Sequence, residues 1–187
     1  NNCKVSQLLA IDRDPVSKIF YNEIKFKFVN FHLINDKFSN IENIVKSSKF
    51  KDKKYDIIIY DLGISSNQLD ISKRGFSFKT DGPLDMRMGL SDKKAFEIIN
   101  NYDEKNLANI IFNYGEERYS RQIAKQIIKN RKIKVISNTK ELSKIIENSV
   151  PKIMNNKKKI HPATKTFQAL RIFINDELNE LKISLNK

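Results

Sequence analysis

The feature that most constrains the fold is a short run of β-branched and aromatic residues, Tyr55 to Tyr60 (YDIIIY), which is interrupted only by Asp56 and is followed by Asp61. A short apolar run of this kind is typical of a strand buried on both faces of a parallel sheet. Two earlier strands are predicted, a short one at residues 6–11 and a half-buried one at residues 26–33, each followed by a short helix. Parallel strands joined by helices need right-handed crossovers, so the first 61 residues predict an α/β, doubly wound parallel sheet.

The rest of the chain divides into a long loop and a helical segment. Residues 62–91 hold four of the five glycines, and loops of this length inside compact domains are usually functional. From residue 92 to 150 the apolar residues recur at helical spacing, which predicts a series of amphipathic helices. Three apolar stripes are expected to face the core: Leu107, Ile110, Ile111 and Tyr114; Ile123, Ile127 and Ile128; and Leu142, Ile145 and Ile146. A last helix is predicted over residues 163–186, with its apolar residues on one face.

The charge of the chain is concentrated in the helical segment. The net charge is +13 over 187 residues, and residues 92–160 carry +8 of it. A basic segment beside a nearly balanced one is typical of a module that contacts a polyanion, although a solvated lysine-rich surface gives the same pattern. A single cysteine excludes a disulfide framework and a cysteine-based zinc site. The longest apolar run is far below the roughly 20 residues that span a bilayer, so we expect a cytoplasmic protein.

Two carboxylates, Asp12 and Asp61, follow predicted strands directly. In an open parallel sheet, ligands bind beyond the carboxyl ends of the strands, and an Asp at such an end can accept both ribose hydroxyls of an adenosine. That geometry serves NAD and S-adenosylmethionine alike. A structural alternative exists for each residue, because Asp14 or Asp12 could cap the following helix and Asp61 could form a turn. The chain has no G-x-G-x-x-G, Walker or G-x-S-x-G motif.

A series of motifs runs in order through nearly the whole chain. They are AIDRDP at 10–15, DLGISSNQLD at 61–70, RGFSF at 74–78, DGPLDMRM at 81–88, YGEER at 114–118 and HPATKTFQALR at 161–171. Together they resemble the small-subunit ribosomal RNA cytosine-N4 methyltransferase family of the MraW type. Each motif alone would be weak, but their order and the long aperiodic loop make the resemblance specific.

The resemblance implies a class I methyltransferase (Rossmann-like) fold with a helical insertion that helps to recognise RNA. It implies S-adenosylmethionine as the cofactor and small-subunit ribosomal RNA or the ribosomal particle as the partner. The implied domains are an incomplete methyltransferase domain at 1–91 and 160–187 and a helical insertion at 92–159. Carried over by position, the cofactor contacts are Asp12, Phe38, Asp61 and Gln68, although Phe38 could be an ordinary core residue. Asn67 stands where the family usually has Pro, and the glycine loop of the family has no counterpart.

The implied reaction is N4-methylation of a cytidine. The N4 amine is a poor nucleophile because its lone pair is delocalised into the ring, so catalysis needs alignment and an acceptor for the amine proton. Asp61 is the candidate acceptor, with Asp85 as a weaker candidate, and no metal is needed.

A cytidine in folded RNA must be turned out of its stack to react. Phe76 and Phe78 are candidates for stacking on it, or else anchors of the loop in a small core. Arg74 and Arg87 are candidates for holding phosphates, although Arg87 could instead pair with Asp85.

Two other functions stay open from the sequence, a basic RNA-binding module without activity and an NAD-dependent oxidoreductase. The S-S-N-Q loop and the lack of a suitably placed histidine argue against the oxidoreductase. In the resembling family a first strand and several last strands lie outside the segment that these residues match. We therefore expect an internal fragment that by itself binds S-adenosylmethionine weakly or not at all. The expected location is a cytoplasm of bacterial type or an organelle.

Overall fold

The structure, a computed structural model, describes residues 5–89, 91, 93–151 and 160–187. In chain order the strands and α-helices are β1 (Leu8–Ile11), α1 (Ser17–Lys27), β2 (Phe31–Ile34), α2 (Ile41–Ser47), α3 (Ser66–Asp70), α4 (Ala95–Asn101), α5 (Glu104–Gly115), α6 (Ser120–Arg131), α7 (Thr139–Ser149), α8 (Ala163–Ile174) and α9 (Glu177–Leu185). Short 3₁₀ helices lie at Phe38–Asn40 and Ser72–Arg74. The chain is therefore mixed α/β, as the sequence predicts.

These elements form two compact units. Among the described residues, the first unit contains 5–61, 88–89 and 176–187, and the second contains 62–87, 91, 93–151 and 160–175. The units divide the chain at other positions than the predicted domains, 1–91 with 160–187 and 92–159. That domain assignment concerns function and stays a prediction.

The first unit is built on a parallel pair of strands. β1 and β2 pair in register from Leu8 opposite Phe31 to Ile11 opposite Ile34, and α1 forms the crossover between them. The ladder continues one step further, because the Asp12 N–H donates to the Ile34 carbonyl oxygen at 3.1 Å. The residues that follow both strands thus emerge at the same edge of the sheet.

The predicted strand at residues 26–33 is only half right. Residues 31–33 belong to β2, but α1 continues to Lys27, and the Phe28 N–H donates to the Ile24 carbonyl oxygen at 2.8 Å. Phe26 and Val29 are 89% and 84% exposed. The alternating apolar residues therefore prolong a helix and its turn, in which backbone hydrogen bonds are made locally and not to a strand partner.

The run Tyr55–Tyr60 is the largest departure from the prediction. It takes no ladder position among the described residues, whose sheet contains only β1 and β2. Ile57, Ile58 and Ile59 are 75%, 62% and 83% exposed, so the predicted burial on both faces is not found among the described residues. A strand exists through hydrogen bonds to its neighbours, and β propensity alone does not provide them.

The second unit has a helical core that matches the predicted periodicity. Helix α5 packs against α6 and α8, and α6 packs against α7. The fully buried side chains include one or two from each predicted apolar stripe: Leu107, Ile111, Ile123, Ile127, Leu142, Ile146 and Leu170. Each fully buried aliphatic side chain contributes on the order of 2 kcal/mol, so these stripes supply the main stabilisation of the unit.

The glycine-rich loop is fixed to this helical core by Thr139, the first residue of α7. The Gly82 N–H donates to Thr139 Oγ1 at 3.1 Å, and the Thr139 N–H donates to the Gly82 carbonyl oxygen at 2.9 Å. Thr139 Oγ1 in turn donates to the Thr80 carbonyl oxygen at 3.0 Å. The loop therefore has a defined conformation without belonging to a sheet or a long helix.

The predicted single helix at 163–186 is wrong, because α8 ends at Ile174 and α9 begins at Glu177. Asn175 is fully buried, and its Nδ2 donates to the Met86 carbonyl oxygen at 2.8 Å. Its Oδ1 accepts a hydrogen bond from Ser91 Oγ at 2.6 Å. Asp176 then takes a left-handed conformation with φ 52°. A buried side-chain network thus ends the helix where the apolar spacing predicts that it continues.

No helix in the part of the chain that the structure describes is long and apolar enough to cross a membrane.

Candidate functional site

Asp12 lies directly after β1, at the edge where the sequence places a ligand. Its Oδ1 accepts a hydrogen bond from the Asp14 N–H at 2.7 Å, which makes a turn. The next carboxylate, Asp14, accepts from the Val16 N–H at 3.1 Å and so supports the start of α1. Of the two carboxylates that could cap α1, it is therefore Asp14 that accepts a hydrogen bond from the backbone at the start of the helix.

Asn35, the residue after β2, holds the same turn from the other strand. Its Nδ2 donates to the Asp12 carbonyl oxygen at 2.7 Å. Gly89 also approaches this turn so closely that a Cβ would lie 2.6 Å from Pro15 Cδ and 2.8 Å from the Arg13 carbonyl oxygen. The backbone around Asp12 is thus positioned by contacts that the sequence analysis did not assign, although the polar residues after the second predicted strand were a signal for Asn35.

The carboxyl group of Asp12 has a raised pKa. The main cause is partial desolvation, which disfavours the charged form, and the hydrogen bond from the Asp14 N–H opposes it. The negative charges of Asp14 and Asp61 raise the pKa further. Asp61 is therefore close enough to Asp12 for their charges to interact, and the structure brings the two predicted carboxylates into the same part of the first unit.

Phe38 lies after β2, at the start of the 3₁₀ turn, and is half-buried. Its ring packs edge-on against Tyr60, with 5.8 Å between centroids and an interplanar angle of 79°. The Tyr60 hydroxyl shares a hydrogen bond with Ser184 Oγ on α9 at 2.8 Å. Tyr60 therefore positions Phe38. It was not predicted as a site residue, although it closes the run Tyr55–Tyr60.

Gln68 belongs to the second unit, where it forms a capping box with Ser65 at the start of α3. The Ser65 N–H donates to Gln68 Oε1 at 3.0 Å, and the Gln68 N–H donates to Ser65 Oγ at 3.3 Å. The Gln68 side chain is buried. Its amide oxygen therefore has a structural role in fixing the S-S-N-Q loop, and its predicted contact with a cofactor stays a prediction.

Asp85 forms a bidentate ion pair with Arg87. Arg87 Nε donates to Oδ1 at 2.7 Å and Nη2 donates to Oδ2 at 2.9 Å. Desolvation acts to raise the pKa of Asp85, but the side-chain and backbone hydrogen bonds from Arg87 outweigh it and hold that pKa below its usual range. The structure thus shows the ion pair with Asp85 that was the alternative prediction for Arg87.

Arg74 and Phe76 are directed into the loop itself. Arg74 Nη2 donates to the Arg87 carbonyl oxygen at 2.8 Å, and its guanidinium lies 5.4 Å from the centre of the Phe76 ring. Phe76 is only 6% exposed, so its expected exposure for stacking on a base is wrong, and it is an anchor of the loop. The predicted RNA contacts of Arg74, Phe76 and Arg87 stay predictions without direct support from this geometry.

Phe78 is the aromatic residue of the loop that stays partly exposed. It stacks on His161 with 4.4 Å between ring centroids and meets the Phe167 ring edge-on at 5.2 Å. Phe78 is therefore one layer of a stacked pair with His161, not a ring with both faces free. No role was predicted for His161 from the sequence.

Among the described residues, no group of three or more His, Cys, Asp or Glu side chains is placed to hold a metal ion.

Comparison with known proteins adds the family. The model of the MraW methylase family matches residues 1–187. A protein named ribosomal RNA small subunit methyltransferase H from Ehrlichia canis (strain Jake) is 46% identical over 183 residues, which are 97% of this chain and 59% of that protein. Its namesake from Rickettsia canadensis (strain McKiel) is 48% identical over 182 residues, 97% of this chain and 56% of the relative. A third protein of the same name, from Wolbachia pipientis subsp. Culex pipiens (strain wPip), is 45% identical over 183 residues, which are 97% of this chain and 60% of that relative.

The match extends over both compact units and includes every motif quoted from the sequence. The chain spans between 56% and 60% of the length of these relatives. The family match favours a methyltransferase over the oxidoreductase that Asp12 alone left open. This chain belongs to the MraW methylase family.

Proposed function

We propose that the protein transfers a methyl group from S-adenosylmethionine to N4 of a cytidine in small-subunit ribosomal RNA. The observation that carries this proposal is the family match over residues 1–187, with relatives that are named as methyltransferases of small-subunit ribosomal RNA. The choice of cofactor and of the N4 atom rests on the sequence motifs between Ala10 and Arg171.

The first unit offers groups that suit an adenosyl ligand. Asp12 Oδ1 is engaged by the Asp14 N–H, and among the described residues no hydrogen bond reaches Asp12 Oδ2. A carboxylate with an available oxygen can accept a hydrogen bond from a ribose hydroxyl. Phe38, half-buried and held by Tyr60, offers an apolar surface suited to an adenine ring. Gln68 is included by resemblance alone.

When bound, S-adenosylmethionine supplies an electrophilic methyl group on a positively charged sulfur. The residues of this chain supply alignment and an acceptor for the proton that N4 loses as its bond to the methyl carbon forms. We assign that acceptor to Asp61, whose charge acts on Asp12 and which is exposed. Asp85 is less suited, because both of its oxygens bind Arg87.

The proposal includes a class I methyltransferase fold in which residues 55–60 form a further strand of a doubly wound sheet. What supports it is the exposure of Ile57, Ile58 and Ile59, since a wider sheet would bury these side chains. The helical segment 92–159 is proposed as the RNA-recognition domain, and the charge of +8 over residues 92–160 supports that assignment. A cytoplasmic location follows from the proposed substrate.

The test uses the protein at its natural full length with methyl-labelled S-adenosylmethionine and two substrates, purified small-subunit RNA and small ribosomal particles. We expect label in one of them, recovered as N4-methylcytidine after digestion and mass spectrometry. Asp61→Asn should lower the rate by about 100-fold if the carboxylate accepts the proton, whereas Asp56→Asn, an exposed carboxylate of the same unit, should not.

Each failure has its own meaning. Methyl transfer that survives Asp61→Asn would remove Asp61 from the mechanism and leave the activity standing. No label in either substrate with the unaltered protein would refute the activity. In that case RNA binding without methylation would favour the second candidate, a basic RNA-binding module.

A further inference from the structure

We propose that an open cavity in the second unit binds one nucleotide of single-stranded RNA, with its base stacked on His161 and its phosphates on lysines. The cavity has a volume of about 760 Å³, and its lining includes Phe78, Lys79, Lys140, Lys144, Glu147 and His161. This volume lies within the range of sites that hold small ligands. The inference rests on the proposed function, which makes ribosomal RNA the polyanion that the protein meets.

His161 is held in one orientation by two hydrogen bonds. Its Nδ1 accepts from the Ala163 N–H at 3.2 Å, and its Nε2 lies 3.2 Å from Glu147 Oε1. An acceptor at Nδ1 leaves the proton of the neutral ring on Nε2, where it is donated to the carboxylate. The ring therefore does not need to be ordered when a ligand arrives, which lowers the cost of binding.

The stacking surface is built from two aromatic layers. Phe78 covers one face of the imidazole, with ring planes 21° apart, and Phe167 supports Phe78 from its edge. The His161 side chain is nevertheless 40% exposed. A base that stacks on His161 would extend this pair by one layer, and such stacking is the usual way in which proteins hold unpaired bases.

Lysines surround this stack. Lys140 and Lys144 are exposed and lie four residues apart on α7, on one face of the helix, and Lys79 joins them from the loop. Glu147 is the one carboxylate among the described residues of the lining, and its Oε1 accepts hydrogen bonds from the His161 imidazole and, at 3.0 Å, from Ser143 Oγ. The described lining thus keeps an excess of positive charge, with three lysines and one carboxylate. A purely apolar ligand would make no ion pair with these ammonium groups, whereas a nucleotide can stack its base on the aromatic pair and place its phosphate beside the lysines.

The test measures binding of a fluorescein-labelled, single-stranded RNA of twelve nucleotides to the full-length protein by anisotropy at several salt concentrations. The pocket variant is Lys140→Glu with Lys144→Glu. The matched control is Lys125→Glu with Lys129→Glu, two exposed lysines at the same spacing on α6 that do not line the cavity. Both variants change the net charge equally. Because all four side chains are exposed, both are expected to fold, and their thermal midpoints are compared with that of the unaltered protein.

We expect the pocket variant to bind at least about 10-fold more weakly than the control. We also expect its slope of log affinity against log salt to fall by about 1.4, the value for two lost phosphate contacts on a single strand. His161→Ala should weaken binding about 5-fold or more, and His161→Phe should restore part of the loss by keeping an aromatic ring. A pocket variant that binds like the control overturns the inference.

The two proposals fail separately. If the unaltered protein methylates small-subunit RNA while the pocket variant and the control bind the oligonucleotide equally, only the cavity assignment is wrong. If the pocket variant alone loses RNA affinity while no methyl group is transferred, the cavity assignment holds and the proposed activity is wrong.

Discussion

The Asp85 carboxylate holds the Arg87 guanidinium through both of its oxygens, at 2.7 Å and 2.9 Å. The Arg87 N–H adds a third hydrogen bond to Oδ1 at 3.2 Å. A carboxylate in this state is a fixed element of the loop and a poor proton acceptor. This pair explains why Asp61, and not Asp85, carries the proposed proton-accepting role.

The pair makes an acid-sensitive contribution to stability. The folded pKa of Asp85 is depressed, so its contribution is fully present above the unfolded pKa of about 3.9 and is lost as the pH falls through the lower folded pKa. We expect Asp85→Asn to lower the free energy of unfolding by about 1 kcal/mol at pH 7 and by less below pH 4. Urea unfolding between pH 2.5 and 7 measures this. Asp81→Asn, an exposed carboxylate of the same loop, is the control, and an equal loss at every pH would show that the ion pair is not responsible.

Asn175 makes the helix break between α8 and α9 a requirement of the fold. Asn175→Ala should lower the free energy of unfolding by about 2–3 kcal/mol, because it leaves the Met86 carbonyl oxygen and Ser91 Oγ without this partner in a buried place. The control is Asn179→Ala, since Asn179 is an exposed asparagine of α9 whose Nδ2 donates to the local Asp176 carboxylate at 2.8 Å. Chemical denaturation of both variants should separate them clearly, and similar losses would mean that burial of the network adds nothing.

Gly75 is required by a close approach of two parts of the glycine-rich loop. Its φ is +70°, and a Cβ would lie 2.0 Å from the Pro83 carbonyl oxygen. We expect Gly75→Ala to cost at least about 2 kcal/mol of stability through strain and the clash. Gly63→Ala is the matched control, since Gly63 also has a positive φ but no atom within 4 Å of a Cβ. If thermal unfolding gave equal losses for both, the contact with Pro83 would not be the cause.

The helices were predictable where the chain supplies its own hydrogen bonds. The apolar stripes of α5, α6 and α7 follow from spacing alone, and Leu107 and Ile123 are fully buried as expected. The run Tyr55–Tyr60 was not predictable in the same way, because a strand depends on partners elsewhere in space. The end of α8 before Asn175 could not be predicted for a related reason, since the hydrogen-bond partners of Asn175, Met86 and Ser91, are distant in sequence.

The candidate site divides along similar lines. Sequence position correctly predicted that Asp12 and Asp61 lie close enough for their charges to interact, although the segment before Asp61 forms no strand among the described residues. It could not show that Phe76 is buried, since an aromatic residue in a loop has no periodicity that reveals which way it faces. The link between His161 and Glu147 was equally invisible, because it joins α7 to the start of α8.

The ionised carboxylate of Asp12, which is proposed to bind the ribose, is expected to lower the stability of the folded protein. Its raised folded pKa means that ionised Asp12 is disfavoured in the folded protein, so stability is lost as the pH rises through that pKa. Asp12→Asn keeps an oxygen for the Asp14 N–H and removes the charge. We expect a free energy of unfolding at pH 7 equal to or above that of the unaltered protein, with no gain at pH 3. A clear loss of stability at pH 7 would contradict this account of the desolvated carboxylate.

Titration calorimetry of S-adenosylmethionine binding to the full-length protein tests the central claim most directly. The compared proteins are the unaltered protein, Asp12→Asn and the control Asp56→Asn. If Asp12 accepts a hydrogen bond from the ribose, Asp12→Asn should bind at least about 10-fold more weakly, a loss of about 1.4 kcal/mol, while Asp56→Asn binds normally. Undiminished affinity of a folded Asp12→Asn protein would contradict the assignment of this carboxylate to the methyl donor.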